Sequence, residues 1–182
     1  MPDQASLKEN APGPEIRRWL PAVLAAGLAW GALQMFPRAE VGLFARGAAA
    51  LAALLTGAPV VRVEEGWLLP TAAQPVVVSA ACSAIGYFVM VAALLAWRLG
   101  RGGRPAWRVV LFSLAGAFPL TLAVNALRVV AVMQAHRWVI PRFPEAYGSF
   151  LHLSVGVAVF LPALIGLNLL LEFYGNTRRR LR

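Results

Sequence analysis

The chain carries a single cysteine, Cys82, and two histidines, His136 and His152. A thiolate is a ready nucleophile, and an imidazole can take the thiol proton and later return it to a leaving amine. A guanidinium, always charged and rich in donors, can hold a developing oxyanion. Cys82, His152 and Arg128 therefore make a set able to carry acyl transfer on peptides. Asn125 lies one helical turn before Arg128 on the same face and could orient the guanidinium or the substrate. His136 rivals His152 as the base. Each residue also has a plainer reading: Cys82 as a packing thiol, Arg128 as an arginine snorkelling to the headgroups, His152 as an interfacial histidine. One cysteine and two histidines without a carboxylate cluster make a poor ligand set, so no metal and no other cofactor is expected.

What must position these residues follows from composition. Of 182 residues, 59% are hydrophobic and 14% charged, and the mean hydropathy is +0.66. Soluble domains hold about 45–50% apolar and about 25% charged residues. The excess points to an integral membrane protein and excludes intrinsic disorder, a disulfide scaffold and a large soluble enzyme. The net charge of +9 would suggest nucleic acid in a soluble protein. Here the arginines sit at the ends of apolar runs, where they set orientation, so no nucleic-acid partner is expected.

Residues 1–18 read as a disordered cytoplasmic tail ending in Arg17 and Arg18. The apolar run Trp19–Phe36 follows without a cleavage site close behind it, and reads as a retained span. Over 38–56, Arg38, Glu40 and Arg46 make a lipid-buried span costly. Val41, Phe44, Ala48, Leu51 and Leu55 follow one helical face with Arg46 opposite, which predicts an amphipathic helix on the outer surface. Residues 57–81 favour extended structure broken by Gly66, Pro70 and Pro75, and read as a small β-hairpin. Three clearer spans come next: Cys82–Trp97; a long helix from Val109 past Arg128, with Pro119 as a kink; and Phe150–Tyr174. The stretch His136–Ser149 reads as a wet connection, and 175–182 as a basic cytoplasmic tail. The predicted fold is an all-α polytopic bundle of about four spans, with the outer helix and the hairpin.

Topology brings the three polar residues to one depth. The densest arginine clusters, Arg98–Arg108 and Arg178–Arg182, belong on the cytoplasmic side. Measured along a helix from those clusters, Cys82 lies about 24 Å away, Arg128 about 30 Å and His152 about 39 Å, the last including some tail. Against a core of about 30 Å, all three reach the outer membrane–water boundary.

At these residues the sequence resembles the exosortase/archaeosortase family, membrane-embedded cysteine transpeptidases of bacteria and archaea. The resemblance rests on Gly57-Ala-Pro-Val-Val-Arg62 leading through Gly66 and Leu69-Pro70 to Ala81-Cys82-Ser83-Ala84-Ile85, then Asn125-Ala-Leu-Arg128-Val129, then Phe150-Leu-His152. It covers roughly 37–174 in family order. The family's catalytic Cys, Arg and His carry over onto Cys82, Arg128 and His152. The Asn-x-x-Arg helix and the stretch after His152 look similar to the compact K-type exosortases. Ala84 stands where family members often have glycine, and the additional N-terminal spans of longer members are missing.

The resemblance implies a multi-pass protein of the cell inner membrane, residues 19–174 forming its domain, with the site facing the periplasm or exterior. It implies cleavage of a C-terminal sorting signal on exported, membrane-anchored proteins and transfer to a surface glycan or lipid acceptor. Two other classes compete: a non-catalytic assembly or polysaccharide-export partner that keeps the fold, and a small transporter binding an anionic solute at Arg128. The transporter reading lacks the internal repeats and paired broken helices common to that class.

Overall fold

Helix α1, Pro14–Met35, opens on a proline, whose fixed φ suits a first helical turn. A π-helical turn, Glu40–Ala45, leads into α2, Arg46–Thr56. Three short strands follow, β1 Val61–Val63, β2 Gly66–Leu69 and β3 Val76–Val78, then α3, Ile85–Gly100, α4, Ala106–Trp138, and α5, Gly148–Arg180. This computed structural model describes residues 14–35, 40–70, 75–139, 142–144 and 147–180. The architecture is mostly helical with one small sheet.

Neighbouring helices alternate in direction. Trp19, near the start of α1, stacks on Trp97, near the end of α3, with ring centroids 5.6 Å apart. Ala22 and Ala25 share a cluster with Ala96 and Val109, while Ala29 and Leu33 meet the beginning of α3 at Ile85 and Phe88. The start of α1 thus lies at the arginine-rich end of α3. At that end Arg98 donates to Asn168 Oδ1 at 2.6 Å and pairs with Glu172 at 3.5 Å, which fastens α5 to α3.

Along α2 burial runs against side-chain size: Ala48, Ala49 and Ala52, with Ala45 just before the helix, are fully enclosed, while Leu54 is 81% exposed. Small residues let helix axes approach closely, which is how helices associate where the hydrophobic effect does not drive them together. Many large apolar side chains of α1, α4 and α5 are exposed, among them Leu28, Trp30, Phe112, Leu127, Leu161 and Leu169. Two helices, Ala106–Trp138 and Phe150–Gly175, are long and apolar enough to cross a membrane; Trp19–Met35, Gly42–Thr56 and Ile85–Gly100 are shorter.

Several expectations are corrected. The hairpin is a three-stranded antiparallel sheet in the order β1-β2-β3, with Arg62 opposite Trp67 and Leu68 opposite Val77. The third strand pairs because Val76 and Val78 face inward while Val77 faces out. On α2 the expected stripe holds at Phe44 and Ala48, which are buried, and partly at Leu51, but not at Leu55, which is exposed; Ala45, Ala49 and Ala52 complete the buried face. Helix α3 begins at Ile85 rather than Cys82, and α4 runs on to Trp138, so His136 lies on a helix rather than in a connection. The long helix through Pro119 and past Arg128 stands as expected, with the proline inside α4. Residues 14–18 of the expected disordered tail belong to α1, and 175–180 of the expected basic tail continue α5. Residues 1–13, Phe36, Arg38, Pro141, Glu145 and 181–182 lie outside the described residues.

Candidate active site

Cys82 closes a single 3-10 turn, Ala80–Cys82, held by Cys82 N–H to Ser79 O and Ser83 N–H to Ala80 O, both 2.9 Å. Ala84 then adopts φ 56°, the left-handed region, and α3 starts at the next residue. Non-glycine residues reach that region at a cost, so this one residue separates the cysteine turn from the helix. The thiol therefore precedes α3 instead of opening it.

A β-branched side chain at position 84 would tolerate φ 56° far less well than alanine. Ala84→Val is expected to destabilise the protein by about 2 kcal/mol, and Ala84→Gly to leave it within about 1 kcal/mol of the parent. Thermal unfolding in detergent micelles checks the ranking. Equal stability of all three proteins would count against a fixed left-handed turn.

The turn is clasped from α4. Asn125, 1% exposed, donates its Nδ2 to the Cys82 carbonyl oxygen at 2.6 Å. Beside the expected role toward Arg128 or a substrate, Asn125 thus has a backbone role that the sequence did not suggest: it holds the peptide group of Cys82, while its own Oδ1 is buried without a partner. Cys82 itself is half-buried against the alanine face of α2, Leu69, Val78, Ala126 and Val129.

Arg128 lies one turn beyond Asn125. Its guanidinium stacks over the Phe160 ring at 5.4 Å and passes Gly156. A Cβ at Gly156 would stand 3.1 Å from Arg128 Nε, closer than ordinary contact, so a side chain there would push the guanidinium aside by a few tenths of an ångström. The Nε is buried without a hydrogen-bond partner, and among the described residues no carboxylate pairs with Arg128. A cation left unpaired beside apolar walls is a strong site for an anion or a developing negative charge.

His152 sits near the start of α5, with Gly156 and Phe160 following at intervals of four, so all three share one helical face. That face meets the Arg128–His136 face of α4 running the opposite way. Arg128 lies against Gly156 and Phe160, and His136 Nε2 approaches His152 Nε2 at 3.3 Å, their rings edge to face. Cys82, Arg128 and His152 all line one narrow cleft with Val76, Val78, Val129 and Val132. Its free volume is about 10 Å³, near the least that a single water needs. Among the described residues the Cys82 thiol makes no hydrogen bond to His152. Contacts of this kind commonly tighten only when substrate is bound.

Arg128 also borders a second, larger space. A groove of about 680 Å³, lined mainly by apolar side chains of α1, α3 and α5, includes Trp30, Tyr87, Gly156 and Phe160 and reaches Ser83 and Ala84 beside the cysteine turn. Arg128 thus stands between an apolar groove and the cysteine cleft.

Counting from the arginine clusters singled out Cys82, Arg128 and His152 but missed the contributions of Gly156 and Phe160. The repeat of four through 152, 156 and 160 was the available signal. No cluster of three or more His, Cys, Asp or Glu side chains stands together among the described residues. Compared with protein-family models, with curated proteins and with solved structures, the chain matches none.

Proposed function

We propose that this protein is a membrane-embedded cysteine protease and transpeptidase of the exosortase/archaeosortase kind, acting on C-terminal sorting signals of exported proteins. The observation that carries the reading is the meeting of Cys82, Arg128 and His152, from a turn and two helices, around one cleft. In this reading α1, α3, α4 and α5 cross the cell inner membrane, α2 lies at its outer face, and the arginine-rich ends face the cytoplasm. The outward-facing large apolar side chains and the alanine-lined contacts support immersion in lipid.

The chemistry follows from the three groups. His152 takes the proton from Cys82, and the thiolate attacks the carbonyl carbon of the scissile peptide bond, forming a C–S bond. Negative charge moves to the carbonyl oxygen, where Arg128 can stabilise it. Collapse of that intermediate breaks the C–N bond, and His152 returns its proton to the leaving amine. A hydroxyl or amine on the acceptor then attacks the thioester, gives its proton to His152, and releases the Cys82 thiolate. Water in the acceptor's place would give hydrolysis. The groove beside Arg128 is suited to the apolar span that follows the cleaved motif, because it is lined by hydrocarbon and leads to Ser83 and Ala84.

The test is the intact mass of an exported protein ending in a short motif, an apolar span and a basic tail, co-expressed with the parent or with Cys82→Ala. Loss of the C-terminal anchor with the parent alone is expected, and mass added at the new terminus would identify a glycan or lipid acceptor. Identical, unprocessed protein in both, across several such substrates and with expression verified, would favour a non-catalytic assembly partner.

A further inference from the structure

We propose that His136 is a positioning residue for His152, selecting the tautomer in which His152 can serve Cys82; this rests on the reading of His152 as the base. The two Nε2 atoms lie 3.3 Å apart with the rings inclined at 66°. Two imidazole nitrogens at that separation accommodate one proton between them. Two N–H groups would collide, and two lone pairs would repel. One ring therefore donates and the other accepts.

Only one of the two arrangements leaves His152 able to act as a base. If His136 donates, His152 accepts at Nε2 and carries its own proton on Nδ1, with no lone pair left for the thiol. If His152 donates its Nε2–H to His136, the lone pair of Nδ1 is open. When Nδ1 then takes the Cys82 proton, the resulting imidazolium still donates Nε2–H to His136, which disperses its charge. The acceptor for this second nitrogen is an imidazole nitrogen rather than the carboxylate or amide familiar in other triads.

Among the described residues, the charged or titratable groups acting on His152 are His136 and Arg128, both on α4, and Cys82 shares its cleft. The placement also has a geometric cause. Position 136 is two turns beyond Arg128 on α4, and position 152 is one turn before Gly156 on α5. The antiparallel pairing that sets Arg128 against Gly156 therefore sets His136 against His152.

The experiment reads Cys82 alkylation by a neutral, thiol-specific reagent against pH, in the full-length protein in micelles, with no substrate present. His136→Ala is expected to slow alkylation about tenfold at neutral pH and to move the profile toward higher pH. His136→Gln, which keeps an acceptor, should recover most of the rate. His136→Phe, which fills the ring's place without one, should behave as His136→Ala does, and replaces it if the alanine protein is not recovered. Combined with His152→Ala, His136→Ala should add nothing further, because the two act as one unit. An unchanged profile in His136→Ala and His136→Phe, or additive losses in the double variant, would overturn the assignment.

Substrate processing measured beside alkylation separates the two ideas. The expected alkylation pattern without any processing would leave the histidine relay standing and remove the protease. Processing by the parent with unaltered alkylation and processing in His136→Ala would do the reverse.

Discussion

Arg128→Gln is expected to slow processing of a sorting-signal substrate by roughly 10³-fold, the scale of losing one oxyanion donor, while Cys82 alkylation stays within a few-fold of the parent. The separation of the two readouts follows from where the guanidinium stands. It lies over Phe160 and beside Gly156, facing both the groove and the cysteine cleft, and among the described residues it has no carboxylate to neutralise it. A charge held this way does little for a resting thiol compared with what it does for an oxyanion formed during the reaction. Glutamine keeps a hydrogen-bonding group of similar reach but carries no charge. Arg128→Lys should fall between, with a loss of roughly 10²-fold, because an ammonium keeps the charge and forfeits the planar fork and the stacking on the ring. Pulse labelling of substrate processing measures both. Retention of more than a tenth of the parent rate in Arg128→Gln would leave the arginine a structural or snorkelling role.

What the sequence made legible divides along a physical line. That three residues far apart in sequence meet was readable, because arginine clusters mark ends of the apolar runs and the helical rise converts residue number into distance along each helix. Cys82, Arg128 and His152 could be brought to one level that way, and they line a common cleft. Facing was only partly readable for α2. The stripe through Phe44, Ala48, Leu51 and Leu55 weights large apolar residues, whereas the buried face keeps Phe44 and Ala48, adds Ala45, Ala49 and Ala52, and turns Leu54 and Leu55 out. Where the surroundings are themselves apolar, close backbone approach decides the face, and alanine carries no weight in a hydrophobic periodicity.

Helix ends were the other blind spot. Nothing between Arg128 and Pro141 breaks a helix, yet the polar pair His136-Arg137 suggested a connection; α4 continues through both, and the partner of His152 comes with it. At the other helix, alanine itself carries no sign of a left-handed φ, being the residue most at home in a helix; the glycine often found at this position in the family the sequence resembles was the available signal. The consequence is chemical: the thiol stands on a separate turn whose orientation needs an outside hold.

That hold is Asn125, and Asn125→Asp is expected to abolish processing and to destabilise the protein more than any apolar replacement. The Nδ2 group donates to the Cys82 carbonyl oxygen at 2.6 Å from a side chain that is 1% exposed. Asp presents oxygen to oxygen there. Ionised, it buries a charge against a carbonyl, which costs several kcal/mol; protonated, it must first be held neutral in a site it did not choose. Asn125→Leu removes the donor without adding charge, so the Cys82 carbonyl loses its partner at a cost of about 1–3 kcal/mol. The turn is then free to shift, and a displacement of about 1 Å at a nucleophile slows its reaction by roughly 10²-fold. The expected order in both thermal stability and processing is parent, then Asn125→Leu, then Asn125→Asp. Circular dichroism melts in micelles give the first and substrate intact mass the second. An Asp protein as stable and active as the Leu protein would mean that the contact to Cys82 carries neither the fold nor the alignment of the thiol. The prediction separates two roles a polar residue beside Arg128 could have. An asparagine that oriented the guanidinium would accept a hydrogen bond, and Asp would serve it as well or better; one that grips a carbonyl must donate, and only Asn can.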